Sequence, residues 1–198
     1  KSVESVQSQL RWEILTHKKC NMADNLSAQG YVARAVSRNK VAQEVAEMIG
    51  VNEGVRTKAY KDSLGNMSIG VGFNLEDKTN QPILDSLGLN RDELKSGKRE
   101  LTDKELSALY SYSMARAVED LKKFDPNIKS RPKNVQMALI DMSFNLGYSK
   151  LSTFKKMKAA LEKNDYGTAA DEMVDSKWYK QVKTRGPRTV ALMRSAAK

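Results

Sequence analysis

The hydrophobic pattern of this chain changes period once and then changes back. Asn39 can cap a helix whose Val41, Ala42, Val45, Met48 and Ile49 fall on one face, with Gly50 and Gly54 framing its end. Residues 57–75 then read differently. Tyr60, the turn Leu64-Gly65-Asn66, and the run Ser68-Ile69-Gly70-Val71-Gly72-Phe73 predict a small antiparallel hairpin or meander. Residues 76–100 are polar and irregular, with a short helix expected over 82–87. Helical period returns at Thr102, a good N-cap with Glu105 three residues on as its capping-box partner. The helix that follows carries Leu106, Leu109, Tyr110, Ala117, Val118 and Leu121 and should stop near Asp125-Pro126. Four more helical stretches are expected over 135–146, 154–163, 166–174 and 189–197, punctuated by Gly147, Asn164-Asp165 and Gly186-Pro187. The fold class is therefore α+β: a small β-containing lobe and a larger helical lobe joined by a long helix.

Residues 1–38 read as a separate N-terminal extension or linker, helical in part. Val3, Val6, Leu10 and Ile14 give an approximate apolar stripe, and residues 20–30 are polar and turn-like. The expected division is 1–38 as this extension and 39–198 as one catalytic domain. The chain begins without Met, which points to a processed product or a piece of a longer protein.

Composition narrows the function classes. A hydrophobic share of 40% with 29% charged residues is ordinary for a globular protein. No apolar run approaches the ~18–20 residues of a membrane span, and the start has no signal-peptide pattern. The single Cys20 excludes an internal disulfide. His17 and Cys20 are three apart, but there is no second His or Cys to complete a zinc site. The formal charge of +10 favours polyanionic partners, among them nucleic acid, anionic wall polymer and lipopolysaccharide.

The chemistry sits where the period changes. Eight residues separate Glu53 from Asp62, and five separate Asp62 from Ser68. Glu53 ends the first helix, whereas Asp62 lies beside a turn in the β-like stretch. Carboxylates on different elements experience different surroundings, so one can hold its proton while the other ionises. That division of labour is what glycoside hydrolysis requires. The negative end of the helix dipole disfavours a charged Glu53, which suits a proton donor.

This spacing, with Glu53-Gly54 before Arg56-x-Lys58-x-Tyr60-x-Asp62 and then Ile69-Gly70-x-Gly72, resembles the phage lysozymes of glycoside hydrolase family 24, the T-even phage type. The likeness continues through 138–147 (Ala-Leu-Ile-Asp-Met-Ser-Phe-Asn-Leu-Gly), which is similar to the family's buried central helix. Phe154, Ala169-Ala170, Ser176-Lys177-Trp178-Tyr179-x-Gln181, and the basic pair Arg185 and Arg188 follow at matching intervals. It covers about residues 39–198. The resemblance implies a two-lobed peptidoglycan hydrolase that works by inversion, without metal or cofactor. It assigns Glu53 as general acid, Asp62 as the carboxylate that activates water, and Ser68 as the hydroxyl that holds this water. Arg185 would pair with the acid. Gly72, Asn74, Phe144 and Asn145 would contact substrate.

Departures are visible too. Phe73 stands where the family usually has a His, so a buried ion pair common at that corner must be absent. Asn74, Met157 and Glu172 replace side chains that touch sugar in relatives. The expected partner is bacterial peptidoglycan, with an anionic envelope surface as a further attraction and other virion proteins docking through 1–38. Action would be in the host periplasm or cell wall, by an enzyme released from the host cytoplasm or carried in the virion. One rival is a catalytically weak wall-binding module on the same fold. The other is a basic nucleic-acid-binding protein, for which no motif is present.

Overall fold

A computed structural model describes residues 40–53, 56–62, 65–182 and 184–197, and of residues 47 and 50–53 the backbone alone. The expectations for 1–38, including His17 and Cys20, and for the Asn39 cap lie outside the described residues. The chain divides into two compact units within one long helix, the first ending at Ala115 and the second starting at Arg116.

The first unit opens with α1 (Lys40–Glu53), whose Ala42, Val45 and Ile49 are fully buried. A three-stranded antiparallel sheet follows in the order β1 (Arg56–Lys61), β2 (Met67–Gly70), β3 (Phe73–Asn74). The expected meander is therefore present. Its register pairs Tyr60 with Ser68, Lys61 with Met67, and Ser68 in turn with Asn74. The β2–β3 turn is tight, and Gly70 and Gly72 adopt φ of 65° and 76° within it. Those values suit glycine and cost other residues. Ile69, Phe73 and Leu75 from the sheet join Ile83, Leu84, Leu89, Leu94, Leu101, Leu106 and Leu109 in one apolar cluster. Phe73 is buried, with its ring centroid 6.4 Å from that of Tyr112.

Two short helices cover this cluster, α2 (Gln81–Ser86) and α3 (Arg91–Lys95). Only the first was expected. Five residues are too few to show a period, but Asn90 caps α3 through the N–H groups of Asp92 and Glu93, and Leu94 is fully buried. Arg91 staples the loop after β3. Its Nη1 donates to the carbonyls of Leu75 (2.7 Å) and Asp77 (3.1 Å), and its Nε to Gln81.

The long helix α4 (Asp103–Phe124) starts from the expected capping box: Thr102 N donates to Glu105 Oε2 at 2.9 Å, and Glu105 N to Thr102 Oγ1 at 3.3 Å. The second unit is helical. Its elements are the C-terminal turns of α4, α5 (Lys133–Leu151), α6 (Lys155–Glu162), α7 (Tyr166–Val174), α8 (Lys177–Gln181) and α9 (Arg185–Arg194). Gly147, with φ 65° and ψ 169°, interrupts α5 and divides it into two helical segments, as its place after the 135–146 stretch predicted. Helix α9 begins four residues earlier than the sequence predicted. Gly186-Pro187, read as a stop, lies in its first turn, where backbone N–H groups have no helical partner and Pro loses nothing. A buried ion pair ties the unit together: Arg131 donates from Nε and Nη2 to Asp125 and from Nη1 to the Leu161 carbonyl and to Asn164. The Asp125 carboxylate beside it raises the Arg131 pKa.

Candidate active site

The site residues of the first unit are set by the end of α1 and by the sheet. Glu53 is the last residue of α1, at the helix end where the sequence placed it. Asp62 follows β1 directly. Its N–H donates to the Asn66 carbonyl at 2.9 Å, and Gly65 N donates to the Asp62 carbonyl at 3.0 Å, which closes the hairpin. The half-buried Asp62 carboxylate accepts from Asn66 N (2.9 Å, on Oδ1) and from Asn66 Nδ2 (3.2 Å on Oδ2, 3.4 Å on Oδ1).

The pleat relates these residues to one another. Tyr60, Ser68 and Asn74 are successive cross-strand partners, so they share one face of the sheet, and Asp62 lies two residues beyond Tyr60. The meander thus puts Ser68 and Asn74 on that face, with Asp62 just past the end of β1. Ser68 is almost wholly buried and Asn74 half-buried. The Asn74 side chain also has a local task, because its Oδ1 accepts from Glu76 N at 2.7 Å and turns the chain after β3. The outer edge is tied down at Thr57 and Lys58. Both bond to Glu100, and the Lys58 ammonium, followed by the Thr57 hydroxyl, holds that exposed carboxyl below its usual range.

In the second unit, Phe144 and Asn145 lie on α5 just before the Gly147 kink. Phe144 is half-buried and Asn145 exposed. The Asn145 amide oxygen accepts from the indole Nε1 of the buried Trp178 at 2.9 Å, so one side of this residue serves the packing of α8. Met157 is fully buried, which makes it a core residue, and Glu172 lies 4.0 Å from Lys156. Arg185 begins α9, and its guanidinium is buried against α5. Its Nε lies 3.5 Å from Asp141 Oδ1, and Arg188 Nη2 approaches the same oxygen at 3.7 Å. The Thr189 hydroxyl donates to Asp141 Oδ2 at 2.5 Å and lies 2.9 Å from the Arg185 carbonyl. Arg185, Arg188 and Thr189 are spaced i, i+3, i+4, which puts them on one helix face around a fully buried carboxylate.

Two of these residues carried no separate role in the sequence reading. Asn66 was read as a turn former, and its spacing of four from Asp62 across a hairpin was the available signal. Asp141 was read only as part of an apolar helix word. A charged residue inside such a word, with a basic pair to come, was the clue. Among the described residues no group of three or more His, Cys, Asp or Glu could hold a metal ion.

Most of the chain is similar to known proteins. Residues 50–196 match the family described as phage lysozyme. The pre-baseplate central spike protein Gp5 of Enterobacteria phage T4 is 30% identical over 159 residues, covering 75% of this chain and 27% of Gp5. Two probable T4-type lysozymes of Dictyostelium discoideum are 25% and 27% identical over 162 and 160 residues, each over 77% of this chain and over 95% and 94% of their own lengths. The chain spans about a quarter of the spike protein it matches and nearly the whole of the two lysozymes. With the match running from the end of α1 through the sheet to α9, the chain belongs to the phage lysozyme family of glycoside hydrolases.

Proposed function

We propose that this protein hydrolyses the β-1,4 bond between N-acetylmuramic acid and N-acetylglucosamine in bacterial peptidoglycan, with inversion at the anomeric carbon. Glu53 is the general acid, protonating the leaving oxygen. Asp62 is the base, activating a water on the opposite face of the sugar, and Ser68 holds that water. Gly72, Asn74, Phe144 and Asn145 contact the glycan. The observation that supports the reading is the register of the meander, which sets Ser68 opposite Tyr60, two residues before Asp62, within the stretch that matches the family.

The test pairs Glu53→Gln with Asp62→Asn. Each amide keeps the volume of its acid but can neither donate nor accept the proton in question. Loss of general acid or base action costs about 10²–10⁴-fold. Wild-type protein should clear a suspension of bacterial walls, and both variants should fail while remaining folded. Wall binding without lysis by the wild type would favour the attachment reading instead. NMR of the first product should show the inverted anomer. Retention would recast Asp62 as a nucleophile.

The enzyme is phage-encoded in this reading and acts in the host periplasm or wall. The similarity to part of a spike protein supports an enzyme carried in the virion, with residues 1–38 docking it to other virion proteins. Mass spectrometry of purified particles distinguishes this from an enzyme released from the host cytoplasm.

A further inference from the structure

We propose that Asn66 is a positioning residue for the Asp62 carboxylate, an inference that rests on the reading of Asp62 as the base. A base that takes a proton from a small nucleophile must present one oxygen in a fixed direction. Supporting groups have to hold such a side chain within about 0.5 Å and 10–20° of its working geometry. An Asp side chain does not do this alone. Its carboxylate rotates about the Cβ–Cγ bond in a broad, roughly two-fold well, so one hydrogen bond leaves the plane of the group loosely defined.

Asn66 supplies two points of contact from one residue. Its backbone N–H meets Asp62 Oδ1 at 2.9 Å, which fixes where that oxygen lies. Its side-chain Nδ2 meets Oδ2 at 3.2 Å and reaches Oδ1 at 3.4 Å, which fixes the plane. An ionised carboxylate only accepts, so the amide must turn its nitrogen rather than its oxygen toward Asp62. Of the Asn66 contacts, Oδ1 receives two and Oδ2 one. The oxygen with the lighter load from Asn66 is Oδ2.

The hairpin does not need the amide. It is already closed by Asp62 N on the Asn66 carbonyl and by Gly65 N on the Asp62 carbonyl. The hydrogen bonds of Asn66 Nδ2 both end on the Asp62 carboxylate. A side chain that serves only a turn would satisfy backbone groups, as Asn90 does at the start of α3.

Two variants separate positioning from turn formation. Asn66→Leu keeps the branched shape and removes the donors. Asn66→Asp keeps a residue that turns accept readily, but sets a carboxylate against a carboxylate. Both are compared with the wild type and with Asp62→Asn on soluble peptidoglycan glycan chains, together with thermal unfolding. Positioning predicts that kcat falls by about tenfold to a hundredfold in both variants, the penalty of a poorly aimed reacting group. KM and Tm should stay near wild type, and Asn66→Asp should be the worse of the two. If Asn66→Leu fails to fold, Asn66→Asp alone decides. Wild-type kcat in Asn66→Asp alongside an inactive Asp62→Asn would overturn the role of Asn66 and leave Asp62 in place. An active Asp62→Asn would overturn the reading on which the inference stands.

Discussion

Gly72 sits in the β2–β3 turn with φ at 76°, and a Cβ added there would meet no atom within 4 Å. The cost of Gly72→Ala is therefore backbone strain alone, about 1–2 kcal/mol for a left-handed residue. Thermal unfolding should show a fall in Tm of a few degrees. If this open side faces the glycan, KM on soluble glycan chains should rise as well, and an unchanged KM would remove Gly72 from the binding surface. Gly186 contrasts with it, since a Cβ there would lie 2.9 Å from Tyr179 Cδ2, and an aromatic ring edge gives way poorly. Asp141 carries the largest expected effect at this scale. It is fully buried, with Arg185 and Arg188 within 3.7 Å and Thr189 bonded to it. Removing one member of a buried charged cluster leaves the rest uncompensated, which typically costs about 3–5 kcal/mol. Asp141→Ala should lower the urea midpoint accordingly, and a loss below about 1 kcal/mol would show that Asp141 does not hold the two arginines.

At the scale of single elements, local signals were readable and distant ones were not. The capping box Thr102 to Glu105, the Asp165 start of α7 and the stop after Phe124 are written in residues three or four apart, where sequence spacing and spatial contact coincide. The meander was legible because its turns are glycine-marked and its strands follow one another. Helices α3 and α8 escaped because five residues hold little more than one turn. The start of α9 was misplaced because Gly-Pro is a stop in most contexts and harmless only in a first turn. The Arg131–Asn164 and Trp178–Asn145 contacts each span 33 positions, and nothing local announces such a partner. In the candidate site, the motif spacing singled out Glu53, Asp62 and Ser68, whereas the grip of Asn66 on Asp62 appears only once the hairpin is closed. One element offers a clean pH test. The Asp165 carboxylate caps α7, accepting from the Thr168 hydroxyl at 2.6 Å and from its N–H at 2.9 Å, and these bonds lower its pKa. A depressed native pKa gives stability that is present above the unfolded value, near ~3.9, and is lost as pH falls through the native one. Asp165→Ala should therefore unfold at lower temperature than wild type at pH 7, and the gap should close on acidification. A gap constant from pH 7 down to pH 2 would show that the charge is not what matters at this cap.

At the scale of the whole chain, charge is divided unequally between the two units. Residues 116–198 hold 18 Lys and Arg against 9 Asp and Glu, whereas residues 1–115 are close to neutral. Nearly the whole excess of +10 thus belongs to the helical unit, while Asp62 and Ser68 lie on the sheet of the other. Part of that excess is spent internally, since Arg131 faces Asp125 and Arg185 and Arg188 face Asp141. The lysines of α6 and its flanks are different. Lys155 and Lys156 are exposed, and Lys156 has only a 4.0 Å approach to Glu172. Solvated cations of this kind add little to stability and much to long-range attraction, which salt screens over about 10 Å at 0.1 M and about 3 Å at 1 M. Intact bacterial walls carry anionic polymer, whereas a short neutral glycan does not. Raising salt from 0.05 M to 0.5 M should therefore lower the rate of wall clearing, through weaker capture rather than slower chemistry. The rate on soluble uncharged oligosaccharide should hardly change. Replacing Lys155 and Lys156 by Gln should flatten the salt dependence on walls and leave the oligosaccharide rate alone. If both substrates lost activity together as salt rose, the ions would be acting on the site itself, and the basic unit would have no part in reaching the wall.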